Sequence, residues 1–454
     1  MRILHTSDWH LGRTFHGRVL DDDHAAFIDH LVTLAREESV DAVLVAGDVY
    51  DRALPPAAAV SLLDEALRRL TEVTRVVLTP GNHDSARRLG FAADLMTDRL
   101  LIRARAAHVG CGIVLPDAQG REAAVVHALP YLDPDAARQS LPPVLAERLG
   151  ERPDRPGRRV DGQGTRGSRE PGRADLGGGP QSAAGSDDPP LLPRSHEAVV
   201  SAALRLVAAD LERTRSGRSQ RLPSLVMAHA FVVGGRASES ERDIRVGGVD
   251  AVPAQVFSTA GGSPLAQACG GIDYVALGHL HRPQEVAPSP REAGQGPRLV
   301  YPGSPLALSF EEADATKSSV LLDVGPCGVT ALERVPVPVR HHVRTVEGTM
   351  DELLSPATQD ATGTDSWVRV VLRGERPPGA LATLRTRFPG LLAFHHEAPA
   401  PGLREQVGVT AAADPVEVAT RFLADVAGRP PDQAERLAVQ HAYEAVLAQQ
   451  RSGS

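Results

Sequence analysis

The sequence predicts an α/β fold in which a mainly parallel sheet is covered by helices. Over the first third of the 454-residue chain, short apolar or β-branched runs alternate with segments of helical spacing, which is the pattern of βαβ units. Each of those runs ends in a polar, glycine-containing loop, and loops beyond the carboxyl ends of parallel strands are where such folds place their sites. Hydrophobic residues make up 42% of the chain, enough to fill about three domains of roughly 150 residues without disulfide or metal staples.

Taken in order, strands at Arg2–His5, Ala42–Ala46 and Arg75–Thr79 are separated by helices at Asp23–Glu37 and Ala57–Leu70. From Gly150 to Ser195 the composition turns to Gly, Pro, Arg, Ser and Asp, with only Val160, Leu176, Leu191 and Leu192 as large apolar residues. Burial there does not offset the ordering entropy, so a disordered insertion is expected. A helix follows at His196–Glu212, then strands at Leu222–Ala228, Ile272–Leu277, Leu299–Tyr301, Val320–Val324 and Val329–Val335, closing a first domain over 1–335. After Pro336 and Pro338 a smaller α/β pattern restarts, with strands at His342–Val346, Trp367–Leu372 and Leu391–His395 and a helix at Gly379–Phe388. It is expected to form a separate domain over 336–413. The tail, 414–454, holds two helical patterns split by Gly428-Arg429-Pro430-Pro431. Asp414-Pro415 opens the first, which carries Val418, Phe422, Leu423 and Val426; Asp432 caps the second, with Leu437, His441, Val446 and Leu447.

Composition excludes several classes. No apolar run approaches the ~18 residues of a bilayer span, and the amino-terminal stretch lacks the apolar core and cleavage site of a secretory signal, so a cytoplasmic protein is expected. Cys111, Cys269 and Cys327 stand far apart and in no Cys-x-x-Cys pattern, which argues against both a disulfide framework and a thiolate zinc site. A formal charge of −8 is wrong for a protein that coats nucleic acid with a general basic surface, so any DNA contact is local. Every basic residue but Lys317 is arginine; with abundant Ala, Gly and Pro this reflects a GC-rich genome as much as guanidinium chemistry.

Ligand-type residues gather at the ends of the predicted strands. Asp8 and His10 are two apart after one strand, and His279 and His281 repeat the spacing after another; in extended backbone, period two points both members of a pair the same way. Asp48, Asn82 and His229 each sit just past a further strand. A single strand-end histidine is usually structural, and Asn82-His83-Asp84 after Gly81 reads equally as a turn. Seven such donors at five strand ends are a different matter. Imidazole, carboxylate and amide without thiolate suit Mn(II), Fe(II) or Zn(II), the oxygen share favouring the harder end.

Asp8-x-His10, Gly47-Asp48-x-x-Asp51, Gly81-Asn82-His83-Asp84, the later His229 and Gly278-His279-x-His281, in this order, resemble the five motifs of the calcineurin-like metallophosphoesterases. Narrower stretches are similar to one branch, the SbcD nuclease family: Ile3 to Gly12, Leu129-Pro130-Tyr131-Leu132, Arg242-Asp243-Ile244, and Tyr301-Pro302-Gly303-Ser304-Pro305 before Leu308-Ser309-Phe310. The resemblance implies a layered αββα sandwich with a small α/β capping domain and a C-terminal helical pair. It assigns Asp8, His10, Asp48 and His281 to one divalent ion and Asp48, Asn82, His229 and His279 to a second, with Asp48 bridging and Mn(II) as the metal. His83 is expected to face the leaving oxygen as a proton donor. Asp84 is expected to hold its tautomer, or else to cap the turn.

The branch implies 3′ to 5′ exonuclease action on double-stranded DNA and endonuclease action on hairpins and single strands. It also implies homodimerisation through helices near Ala57–Leu70 and Ala86–Met96, and an SbcC-like SMC-family ATPase as partner, bound by the tail. No Gly-x-x-x-x-Gly-Lys-Ser/Thr loop is present, so any ATP dependence comes from a partner. The metal motifs by themselves leave open a phosphoprotein or nucleotide phosphoesterase, and a non-catalytic DNA-end scaffold is the third reading.

Overall fold

The computed structural model describes residues 1–150, 191–241, 251–262, 271–286, 296–363, 365–398, 415–427 and 429–452. The expected insertion over 150–195 falls largely outside them, as do Arg242-Asp243-Ile244, Cys269, Asp414 and Gly428. Cys111 and Cys327 are free thiols. The chain forms two compact units, one of 1–372 with 377–395 and one of 373–376 with 396–454.

The first unit is built on two six-stranded sheets. Strands are β1 (Arg2–Thr6), β2 (Thr14–Phe15), β3 (Arg18–Val19), β4 (Ala42–Ala46), β5 (Arg75–Thr79), β6 (Leu100–Ile102), β7 (Ile113–Pro116), β8 (Glu122–Ala128), β9 (Ser224–His229), β10 (Tyr274–Gly278), β11 (Gln284–Val286), β12 (Arg298–Tyr301), β13 (Ser318–Gly325) and β14 (Gly328–Pro336). One sheet runs β14-β13-β1-β4-β5-β6 and the other β11-β12-β10-β9-β8-β7. In the first, β1, β4, β5 and β6 pair in parallel and β13 closes antiparallel on β1. In the second, β8, β9, β10 and β12 are parallel with antiparallel edges.

Burial on both faces explains why the central strands are apolar throughout. Along β4, Ala42, Leu44 and Ala46 join Ile3, Val77, Val126, Leu225, Met227 and Tyr274 in the core between the sheets. Val43 and Val45 point the other way, into a core shared with Phe27, Leu31, Leu63 and Leu70. Those four come from helices α1 (Asp21–Glu37) and α2 (Ala57–Val73). On the far side, Val226, Ala228, Val275 and Leu277 pack against Leu141, Val199, Leu204 and Val207, contributed by α4 (Pro134–Leu149) and α5 (His196–Arg215). The order of layers is therefore helix, sheet, sheet, helix, as the resemblance implies.

Caps set where these helices begin. Asp21, Asp22 and Asp23 place carboxylates in the first turn of α1, where the helix dipole favours them. The Asp133 carboxylate accepts from the N–H groups of Asp135 and Ala136 with Pro134 in the first turn of α4, and Ser195 caps α5 through Ala198 N–H. The expected helix at Ala86–Met96 is corrected: only α3 (Ala86–Leu89) and a single 3₁₀ turn, Ala93–Leu95, form there. The chain breaks at Gly90 and at Ala92, whose φ of 57° leaves the helical region.

Past β14, strands at Val343–Gly348, Trp367–Arg373 and Leu391–Glu397 form a three-stranded sheet. Leu353, Val368, Val370, Leu372, Ala380, Leu384 and Phe388 give it a core of its own. A second apolar cluster joins it to the larger sandwich, with Phe15, Leu306, Leu308 and Phe310 meeting Val343 and Trp367. The Phe15 and Trp367 rings stack at 5.5 Å. In the second unit, helices Pro415–Ala427 and Gln433–Ser452 form where the sequence predicts them, and Asp432 caps the latter by accepting from Glu435 N–H at 2.9 Å. Among the described residues no helix is long and apolar enough to cross a membrane.

Candidate metal centre

All seven expected ligands lie where the carboxyl ends of the two sheets meet. The loops after β1 and β4 run side by side, Asp8 N–H donating to Gly47 O at 3.1 Å and His10 N–H to Asp48 O at 3.0 Å. Between Asp8 and His10, Trp9 is buried against Phe27 and donates its indole N–H to Thr6 Oγ at 3.0 Å. The spacing of two works here by a different route from the pleat. Asp8 and His10 have φ of 55° and 48°, so left-handed turns rather than extended backbone aim them together. Asp48 and His279 also have positive φ, 47° and 108°. Each such conformation costs about 1–3 kcal/mol and persists only where surrounding structure holds it, typically at functional sites. The centre is too crowded for other residues at two neighbouring positions: a Cβ on Gly81 would meet Asp48 Oδ1 at 2.1 Å, and one on Gly278 would meet Ala46 O at 1.8 Å.

Asp48 stands in the middle. Its Oδ2 is 3.3 Å from His229 Nε2, 3.7 Å from His10 Nε2 and 3.9 Å from His83 Nε2, while Oδ1 accepts from His83 N–H at 2.9 Å. His10 Nε2 and His281 Nε2 face one another at 3.1 Å. His229 Nε2 lies 2.8 Å from Asn82 Oδ1, and the His229 and His279 ring centres are 5.4 Å apart. Asp8 joins the same group, its Oδ1 4.0 Å from His229 Nδ1 and 2.9 Å from the His279 N–H that donates to it. Three groups bring ligand atoms within 4.8 Å of one another: Asp8, His10 and His281; Asp8, Asp48 and His229; and His10, Asp48 and His83.

Electrostatics match a site built for cations. Burial pushes the Asp8 carboxyl up to about 6, with His229 and His281 pulling it down and Asp48 adding to the rise. Burial would raise Asp48 too, but His229, His10 and His83 outweigh it and hold that carboxyl well below the usual range. His229 is driven down by burial and up, by more, by Asp48 and Asp8, reaching about 9. Burial holds His10 and His279 well below the ordinary imidazole value. Two enclosed carboxylates thus share the space with His10 and His279, which burial keeps neutral, and with His229, whose charged form they favour; buried His10 Nδ1 and Asn82 Nδ2 have no hydrogen-bond partner. A donor set of carboxylate, imidazole and amide with orphaned polar atoms fits divalent cations.

His83 and Asp84 lie beside the expected ligands, His83 within reach of His10 and Asp48. His83 lies at the rim, its Nδ1 2.8 Å from the Asp51 carbonyl. Asp84 turns away from that ring and accepts from three backbone N–H groups, those of Val49 at 3.0 Å, Tyr50 at 2.9 Å and Gly81 at 2.9 Å. The expectation that Asp84 holds the His83 tautomer is corrected. The Asp51 carbonyl takes that place, because a carboxylate next to three converging amides is already committed to them, and Asp84 is the turn cap of the other reading. Burial and the neighbouring Asp48 push the Asp84 carboxyl up to about 7 against those amides.

Sequence reasoning missed the polar residues behind the ligands. Ser7 Oγ donates to Asp8, and Ser240, Glu241, Glu312 and Lys317 gather around His281. One signal was available: Lys317 is the single lysine among 49 basic residues.

Comparison with known proteins agrees with this geometry. Residues 1–120 match the family model for calcineurin-like phosphoesterases. The SbcD component of the SbcCD nuclease of Rhodobacter capsulatus is 31% identical over 422 residues, 88% of this chain and 89% of that protein. The chain belongs to the SbcD family. Its members from Bacillus subtilis and Escherichia coli K12 are 32% and 29% identical, over 72% and 79% of this chain and 67% and 74% of theirs. Membership in the SbcD family and the αββα layering account together for why the sheet ends, rather than a surface groove, carry the buried donors.

Proposed function

We propose that this chain is the metal-dependent nuclease component of an SbcCD-type complex, cleaving DNA phosphodiester bonds as a 3′ to 5′ exonuclease on duplex ends and an endonuclease on hairpins and single strands. The observation that carries the reading is the gathering of buried Asp8, His10, Asp48, His229 and His281 within metal-holding distance of one another, with Asn82 and His279 set against His229. Asp8, His10, Asp48 and His281 would hold one ion and Asp48, Asn82, His229 and His279 the other, both Mn(II). When bound, the pair activates a water for attack on phosphorus and stabilises charge on the phosphate. Two carboxylates against two divalent ions leave roughly two positive charges toward the substrate, which answers how a chain of net charge −8 attracts DNA.

The protein's own residues do the rest. Asp51 O holds His83 through Nδ1, so the ring presents Nε2 toward the centre, 3.9 Å from Asp48 Oδ2, placed to give a proton to the departing oxygen. Arg13 and Arg52 flank it in a cleft with Thr14 and Asp51, and supply local positive charge for the strand entering the site. Residues 336–398, with their own core and their aromatic junction at Phe15 and Trp367, serve as the cap over that approach. Phe91 and Leu95, 80% and 87% exposed, offer the apolar patch for a homodimer. The tail helices receive an SbcC-like ATPase, and the complex acts on DNA in the cytoplasm.

The test is purified chain with Mn(II), offered linear duplex DNA, a DNA hairpin, a phosphopeptide and nucleoside monophosphates. Cleavage of the two DNAs alone is the expected result. Hydrolysis of only the small phosphates would move the chain to the phosphoesterase reading, and no hydrolysis at all to that of a scaffold.

A further inference from the structure

Behind His281 runs a buried polar chain that the two-ion reading does not use. Ser240 Oγ lies 2.5 Å from His281 Nδ1 and also contacts Glu312 Oε1. Glu312 is buried and paired with Lys317, itself buried. Glu312 accepts further hydrogen bonds from Ser309 Oγ at 3.0 Å and from Leu308 N–H at 3.2 Å. Lys317 Nζ donates to the His281 carbonyl and to Ser304 Oγ, each at 3.0 Å, and Glu241 accepts from His281 N–H at 2.8 Å. Ring and peptide of one ligand are therefore gripped from three directions.

Proton counting gives this chain a direction. A carboxylate paired with an ammonium only accepts hydrogen bonds. Ser240 has one hydroxyl proton; Glu312 can only accept and lies closer than Ser238 Oγ, which is 3.1 Å away and has Glu241 and Glu312 as acceptors of its own, so the proton goes to Glu312 and toward His281 Ser240 offers lone pairs alone. His281 Nδ1 must then carry a proton, and in the neutral ring Nε2, aimed at the centre 3.1 Å from His10 Nε2, is the bare nitrogen. We propose that Lys317, Glu312 and Ser240 are positioning residues that lock His281 in the Nδ1–H tautomer and so set the affinity of the ion position it serves. The affinity half of this rests on the two-ion reading above; the tautomer half does not.

The identity of Lys317 supports the assignment. Arginine fills every other basic position in the chain, yet here three acceptors converge on one nitrogen. A compact ammonium radiates three donors from a point, whereas a guanidinium spreads them over a planar fork.

Full-length chain labelled with [15N]histidine and kept metal-free reads the tautomer, the His281 signals being those lost in His281→Gln. Wild type is expected to show Nδ1–H. In Glu312→Gln the side-chain amide can donate to Ser240, freeing the hydroxyl proton to turn to Nδ1, and His281 is expected to change to Nε2–H. Calorimetric titration with Mn(II) should then show one of the two positions weakened about 10–100-fold, the usual effect of losing an outer hydrogen-bond partner of a ligating histidine. Ser240→Ala, a smaller change that serves if Glu312→Gln does not fold, should weaken the same position, and Ser240→Thr should restore it. An Nε2–H ring in wild type, or wild-type affinity at both positions in Ser240→Ala, overturns the proposal. Wild type that shows Nδ1–H but binds fewer than two Mn(II) overturns the two-ion reading and the affinity claim while leaving the lock in place.

Discussion

The Asp84 carboxylate and the Tyr50 N–H meet at 2.9 Å, and with Val49 N–H at 3.0 Å they tie the loop after β5 to the loop after β4. Those loops carry Asp48, Asn82 and His83. Asp84→Ala would leave three amides without their acceptor, at a cost of about 2 kcal/mol or more. The expected outcome is a lower denaturation midpoint together with weakened Mn(II) binding, checked by urea unfolding and by metal titration. Native binding with a changed midpoint would confine Asp84 to stability.

His83→Gln separates proton donation from metal holding. Glutamine keeps a polar side chain that can reach the Asp51 carbonyl but offers no imidazole proton. Metal content should stay at the wild-type value while DNA cleavage falls about 10²–10⁴-fold, the range for losing a positioned general acid. Because His83 Nε2 lies 3.9 Å from Asp48 Oδ2, the alternative is concrete: metal loss in the variant would move His83 into the ligand set.

Asp48 faces His10, His83 and His229 at once, whereas the assigned ligands that His10 faces, Asp8, Asp48 and His281, would all hold the same ion. Asp48→Asn is therefore expected to weaken both Mn(II) positions together, by more than the roughly 10–100-fold that an outer-sphere change produces. His10→Ala should impair mainly one. Calorimetry on both variants checks the contrast, and one position left at native affinity in Asp48→Asn removes the bridge.

Much of this was legible in the sequence, for an identifiable reason. The strands Ala42–Ala46 and Arg75–Thr79 form at the predicted residues, since strands buried on both faces are written as unbroken apolar runs. The gathering of donor side chains at strand ends was legible because metal-binding chemistry restricts residue type so strongly. Less visible were features set by partners distant in the chain. Asp8 and His10 converge through left-handed turns held by Gly47 and Asp48 carbonyls, which no local pattern encodes. Ser240 and Glu312 look like ordinary surface residues until the fold brings them, 72 positions apart, to one buried histidine. The helix expected near Ala86–Met96 failed because Gly90 and Ala92 break it locally.

That broken segment exposes Phe91 and Leu95, too large an apolar surface to leave in water without cause. Phe91→Asp with Leu95→Asp should convert the proposed homodimer to monomer in light scattering, and the denaturation midpoint should lose its dependence on protein concentration. A wild-type chain that is already monomeric at micromolar concentration would dismiss this patch as the dimer contact.

The tail supplies the last prediction. Phe422 and Val426 lie one helical turn apart on Pro415–Ala427 and are 67% and 71% exposed, and Leu437 on the following helix is 47% exposed. An apolar ridge with i, i+4 spacing is what a partner groove accepts. Substituting aspartate at Phe422 and Val426 removes the ridge at little cost to folding, since exposed positions contribute within about 0.5 kcal/mol. Mn(II)-dependent cleavage by the isolated chain should be unchanged, because none of the proposed ligands lies in this segment. Copurification with an SbcC-like ATPase should be lost, and with it any gain in cleavage on adding that ATPase and ATP. A doubly substituted chain that still assembles and still responds to ATP would return the two helices to a packing role.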